Sequence, residues 1–161
     1  MMKKWMKKAA AFLCILSLLA GAAGCGKDFT VVLTTGLKKN EVFRIEKMSC
    51  TLPELMVYLT NLQNQYESVY GEEIWAAKAE GTSLEEEARE QVLAELAQVK
   101  TMALLAQEKE VTLDEKEEQR VSAAAAEYFG SLNETEIETL GVDQELIAQM
   151  YREYALAAKG Y

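Results

Sequence analysis

Through most of the chain after residue 50, apolar residues recur every three or four positions. That spacing puts them on one face of an α-helix. Leu55, Leu59, Leu62, Tyr66 and Val69 form one such stripe. Val92, Leu96, Val99, Ala103 and Ala106 form a second, in the longest predicted helix, about Leu84 to Lys109. Val121, Ala125, Tyr128 and Leu132 form a third, and Ile147, Met150, Tyr151 and Tyr154 a fourth. Earlier in the chain the pattern is different. Phe29 to Thr35 is rich in β-branched residues and reads as a strand, Gly36 to Asn40 as a turn, and Glu41 to Lys47 alternates like a second strand. The predicted fold is mainly α, an array of about five or six helices preceded by a short β-hairpin. Such a hairpin is too small to stand alone and must pack on the helices.

The helix starts are written in capping signals. Thr51-Leu-Pro-Glu54, Ser83-Leu-Glu-Glu86, Thr112-Leu-Asp-Glu115 and Asn133-Glu-Thr-Glu136 each place a cap oxygen three residues before a Glu. In that spacing the cap side chain accepts an orphan N–H of the first turn and the Glu reaches back to the cap. Pro53, the only proline, falls in a first turn, where its missing N–H costs nothing. Glu85, Glu86 and Glu87 sit at the positive end of the long helix. Gly71, Gly81 and Gly141 stand where helices are expected to end. There is no internal repeat, and the one biased run, Ala123 to Ala126, suits close helix packing.

The first 25 residues carry a different signal. Lys3, Lys4, Lys7 and Lys8 precede the apolar run Ala9 to Leu19, and small residues 20–24 lead into Cys25. This is the layout of a secretory signal peptide, with an apolar run too short to span a bilayer. Gly24-Cys25 also resembles the lipobox of bacterial lipoproteins, in which the Cys thiol is diacylated and becomes the new N-terminus. The lipobox usually has Leu three residues before the Cys, where this chain has Ala22. Cleavage near Ala20-Gly21-Ala22 without lipidation, or an uncleaved anchor, are the alternatives. The expected organisation is a signal peptide over 1–24, a lipidated Cys25 with a tether over 25–28, and a helical domain over 29–161. The expected location is the extracytoplasmic face of the cell membrane, held by two acyl chains on Cys25, an anchor that one chain would make only marginally.

Charge and composition narrow the chemistry. Removing 24 of the 161 residues leaves 137, and takes four of the 17 basic residues and none of the 26 acidic ones, so the remainder carries a net charge near −13. An acidic surface of this kind repels nucleic acid. Of the three cysteines, Cys14 leaves with the signal and Cys25 is the lipidation site, so Cys50 is the remaining thiol and no intramolecular disulfide is expected. It lies just before a predicted helix start, without a basic neighbour, and reads as a buried structural cysteine. The chain has no His, which excludes Ser-His-Asp triads, Cys-His dyads and His-based zinc sites. The acidic groups Glu85–Glu87, Glu108/Glu110 and Asp114–Glu118 lack the alternating carboxylates and Gly of a calcium loop, and read as solvated helix faces. No catalytic residue, metal ligand or cofactor site is read from the sequence.

A lipoprotein signal, a strand pair and a helical array opened by Thr51-Leu-Pro-Glu54 resembles the N-terminal region of the SurA- and PrsA-like extracytoplasmic peptidyl-prolyl isomerases. The residues carrying the likeness are Glu41 to Ile45, Thr51 to Leu59, Gln65-Tyr66, Tyr70 to Trp75, Glu87 to Ala106, Glu127 to Leu132 and Tyr151 to Ala155. They form a packing pattern with no catalytic signature. The resemblance implies a chaperone lobe that binds unfolded secreted polypeptide without ATP, while a separate parvulin domain would carry the isomerase activity. Nothing in this sequence looks like parvulin. Broad apolar contact with unfolded clients calls for aromatic and Met side chains. Tyr58, Tyr66, Tyr70, Trp75, Met102, Tyr128, Phe129, Tyr151 and Tyr154 are the candidates, each equally suited by its spacing to the core between helices. A fragment of a complete isomerase, or an adaptor lipoprotein with one fixed protein partner, are the other readings.

Overall fold

The computed structural model describes residues 36–79 and 81–160. Strand β1 (Glu41–Ile45) turns through Glu46-Lys47 into β2 (Met48–Thr51), and the two pair antiparallel. Phe43 faces Cys50 and Ile45 faces Met48, so the hairpin directs one apolar face inward. The register shifts between Glu41 and Phe43, an irregularity that breaks the strict alternation of faces. Glu41 accordingly groups with Arg44 and Ser49. Its carboxylate accepts from Arg44 Nε at 2.8 Å, from the Lys38 backbone N–H at 2.8 Å and from the Ser49 hydroxyl. Hydrogen bonds from Arg44 and Ser49 hold it well below the usual carboxylate range, at about 2.

This hairpin corrects one expectation. The strand expected over Glu41 to Lys47 forms over Glu41–Ile45, but as the first of the pair, and its partner is Met48–Thr51. The expected first strand, Phe29 to Thr35, lies outside the described residues.

Helix α1 (Leu52–Tyr70) follows β2 directly, with Thr51 as cap and Pro53 in its first turn. It ends at Gly71, whose φ of +81° lets the chain turn into a short 3-10 segment, Glu72–Ala76. A two-residue pair, β3 (Lys78–Ala79) with β4 (Thr82–Ser83), leads into α2 (Leu84–Glu108), capped by Ser83 and Glu86 as expected. Gly81 therefore sits in the turn of this small pair and does not end a helix.

Helix α3 (Glu115–Ser131) is capped by Asp114, whose side chain accepts from the Glu117 N–H at 2.9 Å while Glu117 accepts from Asp114 at 2.7 Å. The start expected at Thr112 thus lies two residues later. The competing pair Asp114/Glu117 has the same spacing as Thr112/Glu115, and a carboxylate at the cap gains from the positive helix end. Helix α4 (Glu134–Leu140) takes the expected Asn133/Glu136 box and ends at left-handed Gly141. Helix α5 (Gln144–Lys159) has Asp143 as its cap, a start the spacing rule missed because no Glu follows three residues later.

The elements meet in three apolar clusters. Phe43, Cys50, Leu55, Leu62, Val92 and Leu96 join the hairpin, α1 and α2. Val57, Ala125, Leu140, Ile147 and Met150 join α1, α3, α4 and α5. Met48, Val99, Ala103, Leu104 and Ala157 join β2, α2 and α5. Helix α1 thus packs on two sides, and α5 lies against both α2 and α3. At its outer edge α5 is tied to α3 by ion pairs, Arg152 to Glu118 at 2.6 Å and Lys159 to Glu117. Of the run Ala123 to Ala126, Ala125 alone is buried.

Candidate functional site

Two features stand out from this packing. The first is a buried charge cluster where α1, α2 and α5 converge. Lys100 lies on the packed face of α2, one turn beyond Leu96, and its side chain is 1 % exposed. Its ammonium donates to Glu54 Oε1 and to Glu153 Oε2, each at 2.5 Å. Glu54 and Glu153 are themselves 2 % and 8 % exposed. The other Glu54 oxygen accepts from the Thr51 N–H at 2.6 Å and from its hydroxyl at 3.0 Å, so one residue both caps α1 and neutralises Lys100. The other Glu153 oxygen accepts from Gln149 Nε2 at 2.8 Å. Burial opposes the ammonium charge, but the two carboxylates outweigh it and hold the Lys100 pKa above its ordinary value.

Further polar groups border this cluster. Cys50 is fully buried, and burial, reinforced by the Glu54 charge, pushes its thiol up to about 12. Burial also raises Tyr58, Glu95 and Tyr154, whose rings and carboxyl influence one another across the same interface. A thiol held protonated and enclosed is neither a nucleophile nor a metal ligand at neutral pH. Among the described residues every buried side-chain N or O has a hydrogen-bond partner. The cluster is therefore closed by its own hydrogen bonds and ion pairs. No group of three or more His, Cys, Asp or Glu among the described residues is placed to hold a metal ion.

The second feature is an aromatic corner at the end of α1. Tyr66, Val69 and Tyr70 stand three and four residues apart, on one helix face. The Tyr66 ring stacks on Trp75 at 5.7 Å between centroids and meets Tyr70 edge-on at 6.4 Å. The Trp75 indole N–H donates to Glu67 at 2.9 Å, which fixes the 3-10 segment against the helix. Val69 and Tyr70 are 68 % and 66 % exposed, far more than the other large apolar side chains of the described residues.

The nine aromatic and Met candidates are distributed over the whole fold. Tyr66, Tyr70 and Trp75 come together at this corner. Tyr58 is half-buried between the first two clusters. Tyr128, Phe129 and Tyr151 are half-buried against the second, where the Tyr128 and Tyr151 rings lie 6.1 Å apart and the Asn61 amide donates to the Tyr128 hydroxyl at 3.4 Å. Burial raises both phenols, Tyr151 to about 12. Met102 and Tyr154 pack on the third cluster. Cys25 lies outside the described residues. The sequence reading missed the Lys100 cluster. Its one signal was a lysine on an otherwise apolar helix face.

The described residues form a small helical bundle under a β-hairpin, with an enclosed ion cluster inside and an apolar corner outside. No helix among them is long and apolar enough to cross a membrane. Comparison of the chain with protein-family models, curated proteins and solved structures returns no match.

Proposed function

We propose that this protein is a membrane-tethered extracytoplasmic lobe that binds unfolded secreted polypeptides without ATP. The observation that carries the reading is the exposed Val69–Tyr70 pair, backed by the Tyr66–Trp75 stack on an acidic body. Rigid rings held in place lose little freedom when they take up an apolar segment. They supply area and no fixed polar geometry, which suits many clients and no single one. The half-buried rings of Tyr128, Phe129 and Tyr151 offer further apolar area on the α3–α5 side. The tether is the lipid on Cys25 that the Gly24-Cys25 motif implies. The resemblance to the chaperone region of SurA- and PrsA-like foldases points the same way, and the absence of His from the sequence is at odds with a parvulin-type catalytic pocket.

The test is aggregation of chemically unfolded, unrelated proteins, followed by light scattering with the full chain added at near-equal molar ratio. Suppression is expected without nucleotide, weakly, and with little change in moderate salt, since apolar burial outlasts screened charge pairs. Prolyl cis–trans exchange in a test peptide is expected to run at its uncatalysed rate. Tight binding to one folded protein, with no effect on aggregation, would replace this reading with that of an adaptor.

A further inference from the structure

We infer that the corner formed by the end of α1 and the 3-10 segment selects apolar polypeptide segments flanked by Lys or Arg. This rests on the unfolded-polypeptide reading above and names the client chemistry of one surface. Three features of this corner converge. The patch is exposed: Val69 and Tyr70 project to solvent on one helix face, and Tyr66, which meets the Tyr70 ring edge-on, is stacked on Trp75. Its surroundings are acidic. From Met48 to Ala77 the sequence contains no Lys or Arg. Glu67, Glu72 and Glu73 flank the patch in the same stretch, and the last two are exposed. The fold then brings in more acid. The Leu84 N–H donates to the Ala77 carbonyl at 3.4 Å, which sets the first turn of α2, with Glu85, Glu86 and Glu87, beside the end of the 3-10 segment. Between Met48 and Val99 the sequence has Lys78 and Arg89 as its basic residues, against that larger acidic set.

The physics of the pair sets the occupant. An apolar side chain gains by covering Val69 and the Tyr70 ring. A neighbouring Lys or Arg then meets carboxylates, and can also sit over the exposed ring face of Tyr70. An acidic segment of equal hydrophobicity meets like charge and is disfavoured. The selectivity is electrostatic, so it fades as salt screens the rim, while the apolar component remains.

The experiment uses the full chain and two fluorescent peptides of identical apolar content, one flanked by lysines and one by glutamates, followed by fluorescence anisotropy. The lysine peptide is expected to bind at least tenfold more tightly at low salt, with the ratio shrinking toward one as salt approaches molar. Val69→Ser/Tyr70→Ser is expected to weaken it at least fivefold, with helical circular dichroism unchanged because both side chains are exposed. Glu72→Gln/Glu73→Gln, which spares the apolar patch altogether, is expected to reduce the ratio between the peptides at least threefold. Equal binding of the two peptides, or binding insensitive to both double variants, overturns the inference. If the chain still suppresses aggregation in that case, the chaperone reading stands and only its surface is misplaced. If it neither binds peptide nor suppresses aggregation, both fail.

Discussion

Lys100 sits among Leu96, Val99 and Ala103 on the packed face of α2, its ammonium held by carboxylates from two other helices. The arrangement is stable only as a set, because removing one charge leaves the others enclosed and uncompensated. Lys100→Met would leave Glu54 and Glu153 as two buried carboxylates without a cation, and should cost about 3–5 kcal/mol in urea unfolding. Lys116→Met, on an exposed face of α3, should stay within about 0.5 kcal/mol. A second expectation concerns high pH. The Cys50 thiol keeps its proton to about 12 in the folded protein and loses it near its ordinary value of 9.0 when unfolded. Lys100 is shifted in the same direction. In each case the folded state binds the proton more tightly, so raising the pH favours the unfolded chain. Stability should be level up to about pH 9 and fall between there and pH 12, read as a declining thermal midpoint. Cys50→Ala should make that decline shallower relative to its own value at neutral pH. Lys100 and Cys50 differ in how legible they were. Burial of Cys50 follows from its chemistry, whereas a lysine at a core position states only that partners must exist, and does not name them.

Among the elements, helix positions follow from signals within one or two turns of the chain, and most were legible for that reason. The caps at Thr51, Ser83 and Asn133 stand where their spacing placed them. Where two overlapping boxes compete, spacing alone does not choose. The chain enters α3 through Val111, whose N–H donates to the Ala106 carbonyl, and Glu110 takes a positive φ of 57°. That exit from α2 leaves residues 111–114 outside any helix, with Asp114 itself extended, and gives the cap to Asp114. Ser83→Ala should cost about 1 kcal/mol, the usual value for a lost cap side chain. Asp114→Ala should lower the unfolding midpoint in the same direction, while Thr112→Ala leaves it unchanged. Equal losses from Thr112 and Asp114 would mean that α3 begins earlier in solution. The hairpin was harder to read. Met48 to Thr51 is a four-residue strand running straight into a helix, too short for an alternation to register, and its identity comes from pairing Phe43 with Cys50 and Ile45 with Met48.

For the whole molecule, the proposed tether and the acidic body would act together. A lobe held by acyl chains on Cys25 would be kept from lying flat on anionic lipid by its own charge. Cys25→Ala should release the protein from the membrane fraction or leave an uncleaved precursor, followed by fractionation and mass. Unchanged fractionation and processing would end the lipoprotein assignment. Sequence by itself determined the mainly helical class, the presence though not the strands of a hairpin before it, most of the inward-facing stripe positions, and the lack of His-dependent chemistry among this chain's own residues, because period, caps and composition act over a few residues or none. Tertiary structure decided which stripe side chains are covered and which remain open, since Leu62 and Val69 share one stripe and differ only in what packs on them. It also decided the partners of Lys100, which lie 46 and 53 residues away along the chain. Contacts of that range depend on how α1, α2 and α5 are brought together, and no local period carries that information.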